Sequence, residues 1–301
     1  MRPMGPAFAM QNIRSESDAL GAARQQGLRA RDQRRRAILT RTVQLEVIPR
    51  LAAARAAASA PALVAAPAPE LVVAPAPELV VAPAHVAELA KLVLARGESD
   101  AVAYVEAMRG NGARPESLYL DLLAPVACRL GVMWEEDTCD FTEVTVGLWR
   151  LQVAMRELSP SFLDQRTSRT DGLRILLVPL PGESHTFGLS MVYEFFRRAG
   201  WNAWSGPVSD TAELAWLVGR ERVDVVGFSL SCDERLETVY SEIRAVRRAS
   251  LNPGLAVMVG GPPFVGNPLL AAQLGADGTA TDGRQAVAQA QALVEHNRAR
   301  E

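Results

Sequence analysis

The chain has few cysteines and no apolar run long enough to cross a membrane. Its 301 residues include three cysteines, none of them in a Cys-x-x-Cys pair, so their spacing indicates no disulfide framework. No apolar run reaches the roughly 18 residues of a transmembrane helix, and the N-terminus lacks a compact signal-peptide core. We therefore expect a cytoplasmic protein with no membrane partner.

The sequence also lacks the motifs of several functional classes. No serine lies in a Gly-x-Ser-x-Gly motif, and no Gly-x-Gly-x-x-Gly follows a predicted strand. These absences argue against a hydrolytic triad and against a phosphate-binding loop. Two of the three histidines, His85 and His296, lie at the ends of predicted segments. We expect no enzymatic activity, and no helix-turn-helix pattern indicates direct DNA recognition.

Charge is distributed unevenly along the chain. The net charge is −2, but residues 1–60 carry 11 arginines against four acids, or +7, which leaves −9 for the remainder. A basic arm on an acidic body can contact nucleic acid, an acidic partner or the body itself. Simple solvation of the arginines explains the pattern equally well.

Composition divides the N-terminal part into three segments. We predict a disordered basic arm over 1–33, an amphipathic helical segment over 34–51 and an Ala/Pro-rich linker over 52–84. The linker contains a tandem repeat, since residues 66–73 recur unchanged at 74–81. A period this short that occurs twice favours an extended, semi-rigid linker over a solenoid.

In the rest of the chain, the spacing of apolar residues changes once, from a helical pattern to a mixed strand and helix pattern. Residues 85–164 hold four stretches with apolar residues at helical spacing, the fourth starting at Phe141, which predicts a small four-helix bundle. Residues 172–301 hold five strand-like runs in strict alternation with helical stretches. Such alternation predicts an α/β domain with a doubly wound, five-stranded parallel sheet. The predicted strands are 174–180, 201–204, 223–231, 255–260 and 278–280.

The most informative motif is Pro-Gly-Glu-Ser-His-Thr-Phe-Gly at residues 181–188, directly after the first predicted strand. A strand, a short loop and a helix place this motif at the carboxyl edge of a parallel sheet, where open α/β folds bind ligands. His185 can hold a metal through one ring nitrogen while the carboxylate of Glu183 orients the other. A loop histidine alone is more often structural or solvated, so the motif needs support from neighbouring loops.

Two further loops should face the same crevice. Ser229 and Ser231 end the third predicted strand, and the pair Gly260 and Gly261 ends the fourth. Gly188 opens the helix after the histidine, where a missing side chain lets a ligand approach the backbone. Each signal is weak alone, but together they predict a deep slot between the sheet and its helices.

Residues 172–298 resemble the cobalamin-binding domain of methionine synthase and its relatives. The resemblance rests on three features: the motif Glu-x-His-x-x-Gly, a serine on strand three and Gly-Gly on strand four. The resemblance implies that His185 ligates cobalt in place of the cofactor's own benzimidazole, and that Glu183 hydrogen-bonds its far nitrogen. It further implies that the cofactor and its displaced nucleotide tail contact a set of small or polar residues: Ser184, Thr186, Gly188, Ser229, Ser231, Gly260 and Gly261.

Two positions depart from that family's pattern of Asp-x-His-x-x-Gly and Ser-x-Leu. Glu183 replaces the aspartate, which adds a methylene and alters the geometry behind the histidine. Ser231 stands where the family has leucine. We interpret both changes as tuning of the site, because the histidine and the glycines remain.

Residues 134–152 resemble a segment of the PpaA/AerR antirepressors of purple photosynthetic bacteria, and residues 46–51 resemble the N-terminal element of those proteins. The first segment reads Trp-Glu-Glu-Asp…Phe-Thr-Glu-Val-Thr-Val-Gly-Leu-Trp-Arg-Leu-Gln. The resemblance implies a photoreceptor or redox sensor that binds a hydroxocobalamin-type cofactor and counteracts a repressor of photosynthesis genes of the CrtJ/PpsR type. It also implies a bundle over the upper corrin face, with Trp134 in contact. Light-sensing relatives carry Glu-His about ten residues after this tryptophan, where the present chain has Val144 and Thr145.

Two alternative functions stay open from the sequence. A corrinoid carrier that shuttles methyl groups to a methyltransferase would share the bundle and the cobalamin domain, but it offers no reason for a basic arm on a Pro-rich linker. A haem sensor is the other alternative, because some domains of this shape bind haem and His185 suits iron equally well.

Overall fold

The computed structural model describes the chain from residue 79 onward. The predicted basic arm, the 34–51 segment and most of the linker therefore lie outside the described residues, as does Ser184 of the histidine motif. The described residues are 79–95, 99–164, 172–181, 183, 185–206, 208 and 210–299.

Four helices form the predicted bundle: α1 (Pro83–Leu94), α2 (Ser99–Gly110), α3 (Pro115–Glu135) and α4 (Phe141–Leu163). Helix α1 begins inside the segment assigned to the linker, because the fixed φ of Pro83 suits the first helical position. Asp140 caps the start of α4: its side chain accepts from the Glu143 N–H, while the Glu143 side chain accepts from the Asp140 N–H. This reciprocal pair fixes the first turn of α4.

Helix α3 widens into a π-helical turn over Leu118–Leu123, where the Ala124 N–H donates to the Tyr119 carbonyl five residues back. Pro125 explains the widening, since its ring would collide with the carbonyl four residues earlier in a regular α-helix. The length of α3 and its mean hydropathy of 1.2 would allow it to span a membrane. In the structure, however, its apolar side chains pack in the core of the bundle. Six of the side chains of α3 are fully buried there: Leu118, Tyr119, Leu122, Leu123, Val126 and Leu130.

The α/β domain confirms the predicted fold. Its strands are β1 (Arg174–Pro179), β2 (Asn202–Ser205), β3 (Val225–Ser229), β4 (Ala256–Gly260) and β5 (Gly278–Thr279). Its helices are α5 (Phe187–Arg198), α6 (Thr211–Arg220), α7 (Leu236–Ala249), α8 (Pro268–Gln273) and α9 (Gly283–Arg298). The strands are all parallel, in the order β2-β1-β3-β4-β5. Helices α5 and α9 pack on one face of the sheet and α6, α7 and α8 on the other, so both faces are buried, as a parallel sheet requires.

The bundle is attached to the α/β domain near the C-terminal end of α5. The ring of Phe162 in α4 lies 4.9 Å from that of Phe195 in α5, and the guanidinium of Arg198 stacks over Phe162 at 4.6 Å. Glu116 of α3 accepts a hydrogen bond from Arg198 at 2.9 Å and another from Arg284 of α9. One carboxylate thus joins the bundle to two helices of the α/β domain.

Replacing Glu116 with glutamine should weaken this attachment in a pH-dependent way. Burial raises the pKa of Glu116, but the bonds from Arg198 and Arg284 outweigh it and lower the pKa overall. A carboxyl whose pKa falls on folding adds stability above its unfolded pKa, and that stability is lost as pH falls through the folded pKa. Because Arg284 is mostly exposed, we expect Glu116→Gln to lower the free energy of unfolding by about 1–2 kcal/mol near neutral pH.

Urea unfolding across the acid range tests this prediction. The difference between wild type and Glu116→Gln should shrink as the pH falls below about 4, the usual range for glutamate. Glu106→Gln is the matched control, because Glu106 pairs with Arg109 on the exposed surface of α2 and should matter little. Equal losses in both variants would contradict a special role for Glu116.

Candidate functional site

The predicted histidine motif lies where the sheet order changes direction. From β1 the chain runs to β2 on one side and then to β3 on the other side. The loops after β1 and β3 therefore diverge and leave a crevice at the carboxyl ends of these strands. His185 lies in the β1–α5 loop and Ser231 follows β3, so the structure brings the two predicted loops to one edge.

The carboxylate of Glu183 receives hydrogen bonds from both loops. Its Oε1 lies 2.7 Å from His185 Nδ1 and accepts from the His185 backbone N–H at 2.9 Å. Its Oε2 accepts from the Ser231 hydroxyl at 2.6 Å and from the Ser231 backbone N–H at 2.9 Å. The side chain of Glu183 is 3% exposed and that of His185 is 65% exposed. A buried carboxylate thus holds Nδ1 of an accessible imidazole, which leaves Nε2 as the nitrogen available to a metal.

These hydrogen bonds keep Glu183 ionised. Burial raises the pKa of its carboxyl, but the bonds donated by Ser231 and His185 outweigh burial and lower the pKa to about 2. An ionised partner favours the tautomer of His185 that carries its proton on Nδ1. The lone pair then lies on Nε2, which is the form in which imidazole binds metals.

The two departures from the methionine synthase pattern belong together. The extra methylene of Glu183 lets one carboxylate oxygen reach the histidine while the other reaches the end of β3. A leucine at position 231 would lack the hydroxyl that donates at 2.6 Å. Ser231 therefore supports Glu183 directly, a contact that separate inspection of the two motifs did not predict.

Arg235 anchors the same loop, and the sequence analysis missed it. Its guanidinium donates to the Pro181 carbonyl at 2.9 Å from the 3₁₀ turn Asp233–Arg235. The Leu180 N–H adds a bond to the Ser229 carbonyl at 3.0 Å. Nothing local marks this arginine, because its partner lies 54 residues earlier in the chain.

Two of the predicted glycines border open space. A Cβ added to Gly188 or Gly260 would meet no atom within 4 Å, as a slot lined by small residues requires. Gly260 is the register partner of Ser229, so these two lie side by side at the end of the sheet. Gly261 has φ of 118°, and a Cβ there would lie 1.8 Å from the Leu230 carbonyl oxygen. The backbone alone therefore requires glycine at position 261.

The remaining predicted residues are less closely tied to the site. Thr186 precedes α5, and its carbonyl accepts from the Ser190 N–H and hydroxyl. Ser184 lies outside the described residues. Trp134 lies in the last turn of α3 and belongs to the bundle, so its relation to His185 depends on how far the bundle extends.

The bundle extends past the edge of the sheet that carries His185. Ser159 of α4 bonds to Glu194 of α5 at 2.5 Å, and three residues later Phe162 packs on Phe195, so the two helices run in the same direction. At about 1.5 Å per residue, α4 starts about 16–20 Å beyond the start of α5. The ends of α3 and α4 that meet there, residues 133–145, form what we call the bundle tip.

The bundle tip presents aromatic rings to solvent. Trp134 is 50% exposed and Phe141 is 72% exposed. The fourth helix begins at Phe141, as the sequence predicts, but the ring of Phe141 lies outside the buried stripe of that helix. Within the part of α4 that the structure describes, the stripe that packs on the core starts at Val144, while Thr145 is exposed. Phe141 is thus a further candidate for contact with a ligand that lies between the tip and His185.

Ser231→Ala should weaken the loop that carries the histidine. The change removes the hydroxyl that donates at 2.6 Å to an ionised, buried carboxylate, so we expect the free energy of unfolding to fall by about 1.5–3 kcal/mol. Ser229→Ala at the same edge is the control and should change it by less than about 0.5 kcal/mol. Denaturant unfolding measures both variants, and equal effects would contradict the role assigned to Ser231.

Comparison with known proteins agrees with this geometry. Residues 173–290 match the family described as B12 binding domain. The chain is 25% identical over 163 residues, 54% of its own length and 84% of the relative's, to an uncharacterized 20.5 kDa protein in the bchF-crtJ intergenic region of Rhodobacter capsulatus. Its fold resembles that of the monomethylamine corrinoid protein of Methanosarcina barkeri, with a TM-score of 0.58 and 15% identity over 69% of this chain and 96% of that one. The resemblance of residues 172–298 to a cobalamin-binding domain is thus confirmed over residues 173–290, which match the B12 binding domain family.

Proposed function

We propose that the protein is a cobalamin-binding, light- or redox-responsive antirepressor that acts on a CrtJ/PpsR-type repressor of photosynthesis genes. The observation that carries the proposal is the exposed His185 ring, held by the buried, ionised Glu183 in a B12 binding domain. The similarity to a protein in the bchF-crtJ intergenic region supports the regulatory part. In this proposal the protein acts in the cytoplasm and catalyses no reaction.

The residues at the site fit a corrin with a displaced tail. Cobalamin, with the hydroxo form expected, would supply a cobalt ion whose upper ligand exchanges in response to light or redox change. His185 would hold the cobalt through Nε2, and Glu183 would keep the ring oriented. The open space beside Gly188 and Gly260 would admit the nucleotide tail.

The bundle would connect the cofactor to a partner. Trp134 and Phe141 at the tip would cover the upper corrin face and exclude water from it. Glu116 fixes the opposite end of the bundle. A change of packing at the tip would therefore move the ends of α3 and α4 that form the tip. We propose that the repressor senses this change, and that the basic arm adds a weak, salt-dependent contact with DNA.

His185→Ala should separate cobalt ligation from the rest of the fold. We expect wild-type protein to take up hydroxocobalamin stoichiometrically, and the variant to lose 10-fold or more in affinity with a shifted absorption spectrum. His85→Ala is the control, since His85 only caps α1 by accepting from the Ala82 N–H. Spectra recorded before and after illumination also test the response to light.

The alternatives from the sequence give different results in the same samples. Uptake of haem in place of corrin by the wild type would replace the proposal with a haem sensor. Methyl transfer from protein loaded with methylcobalamin to a thiol would favour the methyl carrier. An unchanged corrin spectrum in His185→Ala would refute cobalt ligation by this histidine.

Gly260→Val tests the slot independently of the metal ligand. The added side chain enters space that is open in the structure, so the protein without cofactor should stay folded while its affinity for cobalamin falls 10-fold or more. Gly110→Val at the end of α2, where an added Cβ also meets nothing within 4 Å, should bind cobalamin normally. Equal affinities of the two variants, measured by absorption titration, would exclude Gly260 from the slot.

A further inference from the structure

One face of the α/β domain carries arginines interleaved with exposed aromatic rings. The guanidinium of Arg220 stacks over the ring of Trp216 at 4.9 Å, and that of Arg244 stacks over the ring of Tyr240 at 5.6 Å. Both rings are about half exposed, and Arg248 is exposed one turn after Arg244. We call these five residues the arginine–aromatic face.

The face is continuous across two helices. Helices α6 and α7 pack side by side, since Thr211 donates to Glu242 near the start of α6 and Gly219 approaches the Ala249 carbonyl near its end. The apolar side chains of both helices, such as Leu214 and Val239, are buried against the sheet. The residues of the arginine–aromatic face therefore lie on the outer side, away from the bundle.

Charge alone does not explain this arrangement. Arginines at the C-terminal ends of helices are favoured by the helix dipole, and Arg247 has a structural partner in Asp277. Trp216 and Tyr240 do not belong to the described hydrophobic core, so burial does not account for their presence. Large exposed rings combined with arginine are typical of recognition surfaces.

We propose that the arginine–aromatic face binds the sugar–phosphate backbone of nucleic acid without sequence preference. Guanidinium groups match phosphate oxygens in charge and geometry, and a guanidinium stacked on a ring keeps its in-plane donors for the phosphate. Arg244 and Arg248, one turn apart on α7, contact neighbouring phosphates, and Trp216 packs against sugar or base. This contact is independent of the corrin site, which lies at the carboxyl edge of the sheet, and of the basic arm.

Titration of the full-length chain with a fluorescent duplex of mixed sequence, over a series of salt concentrations, tests the proposal. The slope of log affinity against log salt is negative, and each lost phosphate contact reduces its magnitude by about 0.9. Arg244→Gln should therefore reduce the magnitude by that amount, and Arg244→Gln with Arg248→Gln by about twice as much. Trp216→Ala should weaken binding several-fold and leave the slope unchanged. Circular dichroism confirms that each variant is folded.

A matched control lies on the other side of the sheet. Arg197 of α5 stacks over Tyr193 at 5.5 Å and also donates to Glu194 at 3.0 Å, so Arg197→Gln removes the same charge from a similar stack. It should leave the slope at the wild-type value. If Arg197→Gln and Arg244→Gln reduced the magnitude of the slope equally, the effect would come from net charge alone, and the proposal would be overturned. Wild-type slopes in all variants would also overturn it, as expected if the face instead binds an acidic protein.

Discussion

The buried carboxylate of Glu183 is the contact on which the candidate site depends. It accepts two bonds from the loop after β1 and two from the end of β3, so it joins the two sides of the crevice at the point where the sheet order reverses. Such a group is costly to bury without partners, and here the partners fix its charge. The same four bonds orient the imidazole, so the architecture of the loops and the chemistry of His185 have one cause.

A second constraint acts at the other end of the molecule. Aromatic packing around Phe162 and the bonds to Glu116 hold the bundle on α5 and α9, while the tip extends past the edge of the sheet. The π-helical turn of α3 begins two residues after Glu116. The fixed end thus lies close to an irregular turn, and the exposed rings of Trp134 and Phe141 lie at the opposite end of the bundle.

The sequence was sufficient for the fold and for part of the site. Strict alternation of strand and helix patterns predicted the parallel sheet, because buried parallel strands leave apolar runs that are hard to mistake. The ligand loop followed from its place after β1. The support from Ser231 and Arg235 did not, since both contacts join positions about 50 residues apart. The exposure of Phe141 was not predicted, because helical spacing marks an apolar residue without showing whether the core has room for it.

In the proposed function, the residues at the tip decide how a signal would leave the cofactor. Light-sensing relatives place a histidine where this chain has Thr145, and the neighbouring Val144 packs on the bundle core. A threonine hydroxyl is a much poorer ligand for a transition metal than imidazole, so α4 offers no replacement ligand at these two positions. A change at the upper face would then be transmitted through packing against Trp134 and Phe141. Large packed rings cannot shift without moving the helices that carry them. We therefore expect the site to signal by movement of α3 and α4, not by formation of a new bond to the metal.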